Sequence, residues 1–148
     1  MSKKRSRARS RAVQAIYQWQ MTGQDIIDIN NHFIAEHPMA RVDIPYFQEL
    51  VRGVVDRVYA LDDEITPFLD RDLQAVDPVE RAILRLGTYE LAQHPEIPYR
   101  VVINESVDLA KSFGGEAGHK YVNGILDKVA HKLRSAEVAA RRGGSAKG

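Results

Sequence analysis

The sequence predicts an all-α fold of six to seven helices arranged as two small helical bundles, with no sheet. Apolar residues recur every three or four positions through most of the 148-residue chain, which is the period of an amphipathic helix. No segment alternates apolar and polar residues over the length of a strand. Proline and glycine separate the periodic segments, and a hydrophobic content of 44% is enough to fill the core of one domain.

Three helices are predicted in the first part of the chain. The first covers about residues 9–22 and ends at Gly23, and the second runs from a cap at Asp25 to Pro38. The third begins near Asp43 and has the clearest apolar stripe of the sequence. This stripe consists of Phe47, Leu50, Val51, Val54, Val55, Val58 and Leu61.

The second part of the chain is predicted to hold four further helical segments. A short helix covers residues 62–70. Asp77, which a proline follows, caps a central helix that runs to about His94 and is apolar on more than one side. Two more helices are predicted over about residues 100–112 and 116–134, because glycines and prolines bound the apolar pattern there.

Charge divides the chain into three parts. Residues 1–24 contain six Lys or Arg and no acid, residues 25–134 contain 12 bases and 19 acids, and residues 135–148 contain three bases and one acid. We expect a basic flexible arm over residues 1–10, a single helical domain over 11–134 and a disordered tail over 135–148. A basic terminus on an acidic body favours a polyanion, above all nucleic acid, as the partner; a plain solubility tail is the alternative. The candidate phosphate-binding residues are Lys4, Arg5, Arg7, Arg9 and Arg11.

The sequence holds no pattern typical of a metal or nucleotide site. Cysteine is absent, which excludes disulfides, thiolate ligands and cysteine nucleophiles. His119 and His131 are too far apart on one helix to share an ion, and Glu105 and Asp108 share a helix face that is more often solvated surface than an acid–base pair. We therefore expect no metal and no cofactor. The chain has neither an apolar run long enough for a membrane span nor a secretion signal, so we expect a cytoplasmic protein.

The start of the last predicted helix offers a second group of candidate RNA contacts. Lys120, Tyr121 and Asn123 place a cation, an aromatic ring and an amide close together. Single-stranded RNA is bound by such mixtures, because the ring can stack on an unpaired base. Just before them, Gly115 and Gly118 have the spacing of an RNA-clamping loop, although a helix end followed by a helix start explains the same glycines.

Five motifs follow one another along the chain after the arginine-rich start. They are AVQAIYQW at residues 12–19, ILR at 83–85 with YEL at 89–91, PYRVVINE at 98–105, LAKSFG at 109–114 and KYVNGILD at 120–127. In this order and spacing they resemble the NusB family of bacterial transcription antitermination factors, over about residues 5–134.

The resemblance implies a fold of two small helical bundles, no enzymatic activity and a role in antitermination on ribosomal RNA operons. It also implies three partners: the single-stranded box A element of the nascent RNA, a small-subunit ribosomal protein that doubles as NusE, and the RNA polymerase antitermination complex. The RNA side implied by the resemblance consists of Lys4, Arg5, Arg7, Arg9, Tyr17, Gln18, Lys120, Tyr121 and Asn123. The side for the protein partner consists of Phe68, Glu80 and Leu84.

Three questions stay open at the level of sequence. Glu80 stands in the capping-box position of the central helix, so it can be a cap, a partner contact or both. The chain also resembles the helical RNA-binding domain that other proteins join to a ribosomal RNA cytosine methyltransferase, which makes a stand-alone RNA-binding domain the alternative function. A scaffold that binds only protein would leave the arginines unexplained. The apolar helix faces are compatible with a monomer or a homodimer.

Overall fold

A computed structural model describes residues 2–114 and 117–147, with side chains described as far as Arg141. These residues form eight α-helices and two short 3-10 turns, and they contain no strand. The predicted all-α class is therefore confirmed, with more helices than the six to seven expected. The helices are α1 (Lys3–Thr22), α2 (Ile26–Glu36), α3 (Ile44–Asp56), α4 (Val58–Ile65), α5 (Pro78–Gln93), α6 (Tyr99–Phe113), α7 (Gly118–Leu133) and α8 (Ser135–Lys147).

The segment predicted as one long third helix contains a break. Arg57 adopts φ −112° and ψ 17°, which are not helical values, and α3 ends and α4 begins at this residue. The apolar stripe continues across this break, so its period could not reveal it. The short helix expected over 62–70 is replaced by the end of α4 and a 3-10 turn at Thr66–Phe68, where Pro67 cannot donate a backbone hydrogen bond.

Helix α1 begins earlier than the sequence suggested. The side chain of Ser2 accepts a hydrogen bond from the backbone N–H of Arg5, so the helix is capped before the first lysine. The basic residues expected in a flexible arm therefore lie on a helix that continues without interruption into the core. Asp43 N–H also donates to Lys4 O at 3.1 Å, which fastens this first turn to the start of α3.

The segment expected to be a disordered tail begins as a packed helix. Val138 of α8 is buried. The guanidinium of Arg134 donates to Leu91 O and Ile97 O at 2.8 Å, and it pairs with Glu137 at 2.7 Å. These bonds attach the α7–α8 junction to the end of α5, where the orphan carbonyls of a helix need donors. Gly148, the last residue of the expected tail, lies outside the described residues.

Helix α5 is the centre of the fold, as the sequence predicted. Every residue from Arg81 to Leu91 is buried, and the helix contacts α1, α3, α4, α6 and α7. Helices α1, α2 and α3 contact one another on one side of α5, whereas α6 and α7 contact each other and α5 on the other. At Gly87 an added Cβ would lie 2.8 Å from Leu126 Cδ1, so the absence of a side chain lets α5 approach α7.

The described helices also bear on membrane association. None of them combines the length and the apolar composition that a membrane-crossing helix requires.

Candidate nucleic-acid interface

The basic residues of α1 lie on different faces of the helix. Lys4, Arg7 and Arg11 are spaced by three and four residues, so they lie on one face of the helix. Lys4 and Arg7 are exposed and Arg11 is half-buried. Two of these side chains also bind the loop before α3: Arg7 donates to Arg41 O at 3.3 Å, and Arg11 donates to Pro38 O at 3.2 Å. This face presents fixed cations rather than a flexible cationic tail.

Arg9 lies in the core, and this corrects its assignment to the RNA side. Its side chain and that of Glu90 are each 1% exposed, and Arg9 Nε lies 2.9 Å from Glu90 Oε1. Arg9 NH1 also lies 3.3 Å from Glu105 Oε1, and the hydroxyl of Tyr46 donates a short hydrogen bond to Glu90. Burial opposes the charge on Arg9, but the pairing with Glu90 outweighs it and raises the pKa of Arg9. The ion pairs of Arg9 therefore connect α1 with α5 and α6.

Arg5 lies on the same side of α1 as Arg9 and is half-buried. Its guanidinium lies 4.2 Å from the centre of the Tyr46 ring, a cation–π contact, and 3.7 Å from the carboxylate of Asp43. Arg5 is thus oriented by α3, at the edge of the basic face rather than within it.

A groove of about 550 Å³ separates the basic face of α1 from α6. Arg7 stands on its α1 side and Asp108 on its α6 side. The Glu105 carboxylate in the groove accepts a hydrogen bond from Ser6 Oγ at 2.6 Å in addition to its pairing with Arg9. Glu105 and Asp108, the carboxylate pair noted in the sequence, therefore differ. Glu105 has a structural role, and Asp108 is exposed.

A second groove of about 530 Å³ continues along the same side of α1. Its walls include Tyr17 and Gln18 of α1, Val79 of α5 and Phe113 of α6. The two aromatic rings are accessible, since Tyr17 is 38% exposed and Phe113 is 39% exposed. Ser112 lines the first groove and Phe113 lines the second, so the grooves meet at the end of α6.

The other candidate residues lie at the start of α7. Lys120 and Asn123 are exposed, and Tyr121 is half-buried. The Tyr121 hydroxyl donates to Asp70 Oδ1 at 3.2 Å, and the guanidinium of Arg71 lies 4.9 Å from the centre of the ring. Burial and the hydrogen bond to Asp70 raise the pKa of Tyr121, so its hydroxyl keeps its proton at neutral pH. The loop glycine Gly115 and its neighbour Glu116 lie outside the described residues.

The structure brings Tyr17 and Tyr121 to the same end of α5. Gln20 of α1 donates to Pro78 O at 2.9 Å, which holds the second half of α1 against the start of α5. On the α7 side, a Cβ built on Gly118 would lie 3.4 Å from Glu80 Cδ. Arg7 lies ten residues before Tyr17, or about 15 Å along the helix. The basic face, the aromatic groove and the start of α7 thus follow one another across the molecule.

The three candidate partner contacts differ in how far they are exposed. Phe68 and Glu80 are half-buried, whereas Leu84 is fully buried in the core and offers no surface to a partner, which corrects its assignment. The cap of α5 is Asp77, whose carboxylate accepts from the N–H groups of Val79 and Glu80. Within the described residues the Glu80 carboxylate does not bond back to Asp77, and burial together with the Asp77 charge raises its pKa.

Sequence reasoning missed Asp70, Arg71 and Phe113 as members of this surface. Phe113 ends an apolar helical pattern in the sequence, and that pattern does not distinguish an exposed ring from a core residue. Asp70 and Arg71 carry no local signal, because their contacts are with Tyr121, which is 51 residues after Asp70.

Fold and surface together define a small all-helical protein with a basic helix face that leads into an aromatic groove. The model of the NusB family matches residues 6–131. The chain belongs to the NusB family.

Relatives and solved structures agree with this assignment. The chain is 56% identical over 141 residues to the transcription antitermination protein NusB of Nitrosococcus oceani, covering 95% of each chain. It is 54% identical over 130 residues to the protein of the same name from Shewanella halifaxensis, covering 88% of this chain and 96% of the relative.

Two solved structures show the same fold. NusB of T. maritima superposes with a TM-score of 0.76 at 31% identity, over 88% of this chain and 92% of that one. A crystal structure described as antitermination factors NusB and NusE in complex with double-stranded RNA gives a TM-score of 0.82 at 28% identity, over 89% of this chain and 99% of that one.

Proposed function

We propose that this protein is a non-catalytic transcription antitermination factor that binds box A RNA of ribosomal RNA transcripts together with a small-subunit ribosomal protein, NusE. Membership of the NusB family and relatives named as antitermination proteins support this function. So does the structural similarity to a NusB–NusE complex with RNA. We also propose that the protein acts in the bacterial cytoplasm, within an antitermination complex on RNA polymerase.

The observation that carries the RNA-binding proposal is that Arg7 and Tyr17 line two adjoining grooves along α1, with Arg11 one turn after Arg7. The cations suit phosphate groups, and the ring beside the Phe113 side chain suits an unpaired base. Lys120 and Tyr121 extend the same surface at the start of α7. We propose Lys4, Arg7, Arg11, Tyr17, Gln18, Lys120, Tyr121 and Asn123 as the RNA-contacting residues, with Arg5 at their edge and Arg9 as a supporting core residue.

The charge of the remaining surface supports a second, cationic partner. Residues 25–134 carry 19 acids against 12 bases, which repels RNA but attracts a basic ribosomal protein. Phe68 and Glu80 supply an apolar side chain and a carboxylate near the start of α5. We propose them as partner contacts, while Leu84 supports them from the core.

The test is a binding titration with four arms. A fluorescent box A RNA and a scrambled RNA of equal length are titrated with the protein, each with and without the ribosomal partner. Selective binding of box A that strengthens with the partner is expected. Equal, salt-sensitive binding of both RNAs would favour the stand-alone RNA-binding domain instead, and partner binding without RNA binding would favour a protein scaffold.

A duplex form of box A RNA provides a second test, which distinguishes binding of single strands from binding of duplexes. The rings of Tyr17 and Tyr121 can stack on bases that are not already stacked in a duplex. We therefore expect the single strand to bind more tightly than the duplex. A preference for the duplex would remove Tyr17 and Tyr121 as base-stacking residues.

A further inference from the structure

We propose that Arg71 is an additional RNA-binding residue, and that Asp70 holds its guanidinium on the Tyr121 ring until RNA releases it. The two residues lie between the 3-10 turns Thr66–Phe68 and Leu73–Ala75. This inference rests on the proposed function, since it requires Tyr121 to meet RNA. It extends the RNA surface from α7 to a segment that carries no RNA-binding signal in the sequence.

Asp70 accepts hydrogen bonds from both Arg71 and Tyr121. Arg71 Nε and NH2 donate to the two oxygens of Asp70 at 2.8 and 3.1 Å, so the ion pair is bidentate. The Tyr121 hydroxyl donates to Oδ1 of the same carboxylate at 3.2 Å. One carboxylate therefore fixes the cation and the ring in a single arrangement.

The guanidinium occupies one face of the Tyr121 ring at 4.9 Å. A base that stacks on this face has to take the place of Arg71. A planar guanidinium that leaves the ring can pair with a phosphate or stack on the next base, which an ammonium group does less well. Displacement therefore converts a contact within the protein into a contact with RNA.

The surroundings favour RNA over a protein partner as the group that releases Arg71. Lys120 and Lys128 line the groove beside Tyr121 together with Asp70 and Phe68. The ring is thus flanked by three cations, counting Arg71, and by two carboxylates. Arg71 neutralises Asp70, and Glu80 is close enough for its charge to act on both Tyr121 and Arg71. The cations outnumber the carboxylates around the ring. The side chains of Arg71 and Asp70 are 48% and 67% exposed, so both are within reach of a ligand and neither is needed for the core.

The experiment measures box A affinity at several salt concentrations for wild type, Arg71→Ala, Asp70→Asn and the double variant. Arg71→Ala should weaken binding roughly tenfold and reduce the slope of log affinity against log salt by about 0.7, the value for one phosphate contact with a single strand. Asp70→Asn should strengthen binding roughly threefold, as expected for freeing a cation from an exposed ion pair. The gain should disappear in the double variant.

Controls separate this inference from the proposed function. Arg52→Ala removes an exposed arginine on α3 and should leave affinity and salt slope unchanged. Wild-type binding that is lost in Tyr121→Ala but intact in Arg71→Ala overturns the inference and keeps the proposed function. An absence of wild-type binding to box A overturns both.

Two further outcomes address Asp70 and the partner. An equal gain from Asp70→Asn with and without Arg71 would mean simple charge removal and would overturn the holding role of Asp70. Arg71→Ala that weakens binding of the ribosomal partner, while leaving RNA affinity intact, would overturn the assignment of Arg71 to RNA.

Discussion

Arg9 and Glu90 form a fully buried ion pair between α1 and α5, with 2.9 Å between Nε and Oε1. The pair joins the helix that carries the basic face to the central helix of the core. An arginine-rich start that looks like a tail in the sequence is thereby fixed in orientation, and its outward residues are set on one face.

Arg9→Ala should destabilise the protein strongly. The substitution leaves the Glu90 charge buried without its main partner, and breaking such a pair lowers the free energy of unfolding by about 3–5 kcal/mol. Urea unfolding followed by circular dichroism measures this loss. Glu90→Gln should show a smaller loss, because the amide can still accept from Arg9. Equal stability of Arg9→Ala and wild type would contradict the structural role.

The double variant with Arg7→Ala and Arg11→Ala should lose RNA affinity without losing stability, in contrast to Arg9→Ala. Arg7 is exposed and Arg11 half-buried, and both donate only to exposed backbone carbonyls of the loop before α3, so the melting temperature should stay close to that of wild type. Box A affinity should fall, and the slope of log affinity against log salt should decrease by about 0.7 for each lost phosphate contact. Anisotropy titrations over a series of salt concentrations provide both values. Unchanged affinity would exclude this face from the RNA site.

The contrast between Arg7 and Arg9 shows where sequence reasoning succeeds and fails. Local signals placed α5, α6 and α7 within about two residues of their observed ends, since proline, glycine and an aspartate cap act on neighbouring residues. The burial of Arg9 depends on Glu90 and Glu105, which are 81 and 96 residues away. No local pattern distinguishes a paired arginine from a phosphate-binding one.

The same reasoning applies at two other places. The break at Arg57 was missed because the apolar stripe runs through it, and the start of α8 was missed because Arg134 stabilises it through carbonyl groups of a distant helix end. Candidate site residues on helix surfaces, such as Tyr17 and Lys120, were found to be accessible. Arg71 could be associated with Tyr121 only from the folded chain.

Leu84→Ala should act through the core. The side chain is fully buried, so its loss should lower the free energy of unfolding by about 2–5 kcal/mol. At a temperature where the variant is still folded, its affinity for the ribosomal partner should match that of wild type. Denaturant unfolding and a pull-down with the purified partner test the two statements. Glu80→Gln provides the comparison, since we expect it to weaken partner binding without a large change in stability.

Tyr121→Ala should weaken box A binding more than Tyr121→Phe. Removal of the ring eliminates base stacking, which is worth about 1–3 kcal/mol, whereas phenylalanine retains the ring and loses only the hydrogen bond to Asp70. Calorimetric titration of both variants compares the two losses. An equal loss in both would assign the effect to the hydroxyl, and no loss in either would exclude the ring from the site.

His94 should make stability decrease as pH rises above about 6.5, the ordinary pKa of histidine. Its Nε2 lies 2.5 Å from Glu49 and its Nδ1 lies 2.8 Å from Glu96, and the Tyr46 ring packs on its edge. Partial burial lowers the pKa of His94, but the bonds to the two carboxylates outweigh it, and the net pKa is raised. A raised pKa in the folded state means that the folded protein holds the proton more tightly than the unfolded chain, whose histidine titrates near about 6.5. The stabilisation is therefore complete below that pH and is lost as pH rises through the folded-state pKa.

Urea unfolding between about pH 5.5 and 8.5, a range that spans the ordinary histidine pKa, measures this dependence. The free energy of unfolding of wild type should decrease toward high pH, and His94→Gln should flatten this part of the curve. His32→Gln removes an exposed histidine of α2 and should keep the wild-type slope. At more acid pH a separate loss is expected, because His94 lowers the pKa of Glu96 and protonation of that carboxylate removes the pairing. Identical slopes for wild type and His94→Gln in the upper range would show that the contacts of His94 with Glu49 and Glu96 do not contribute to stability.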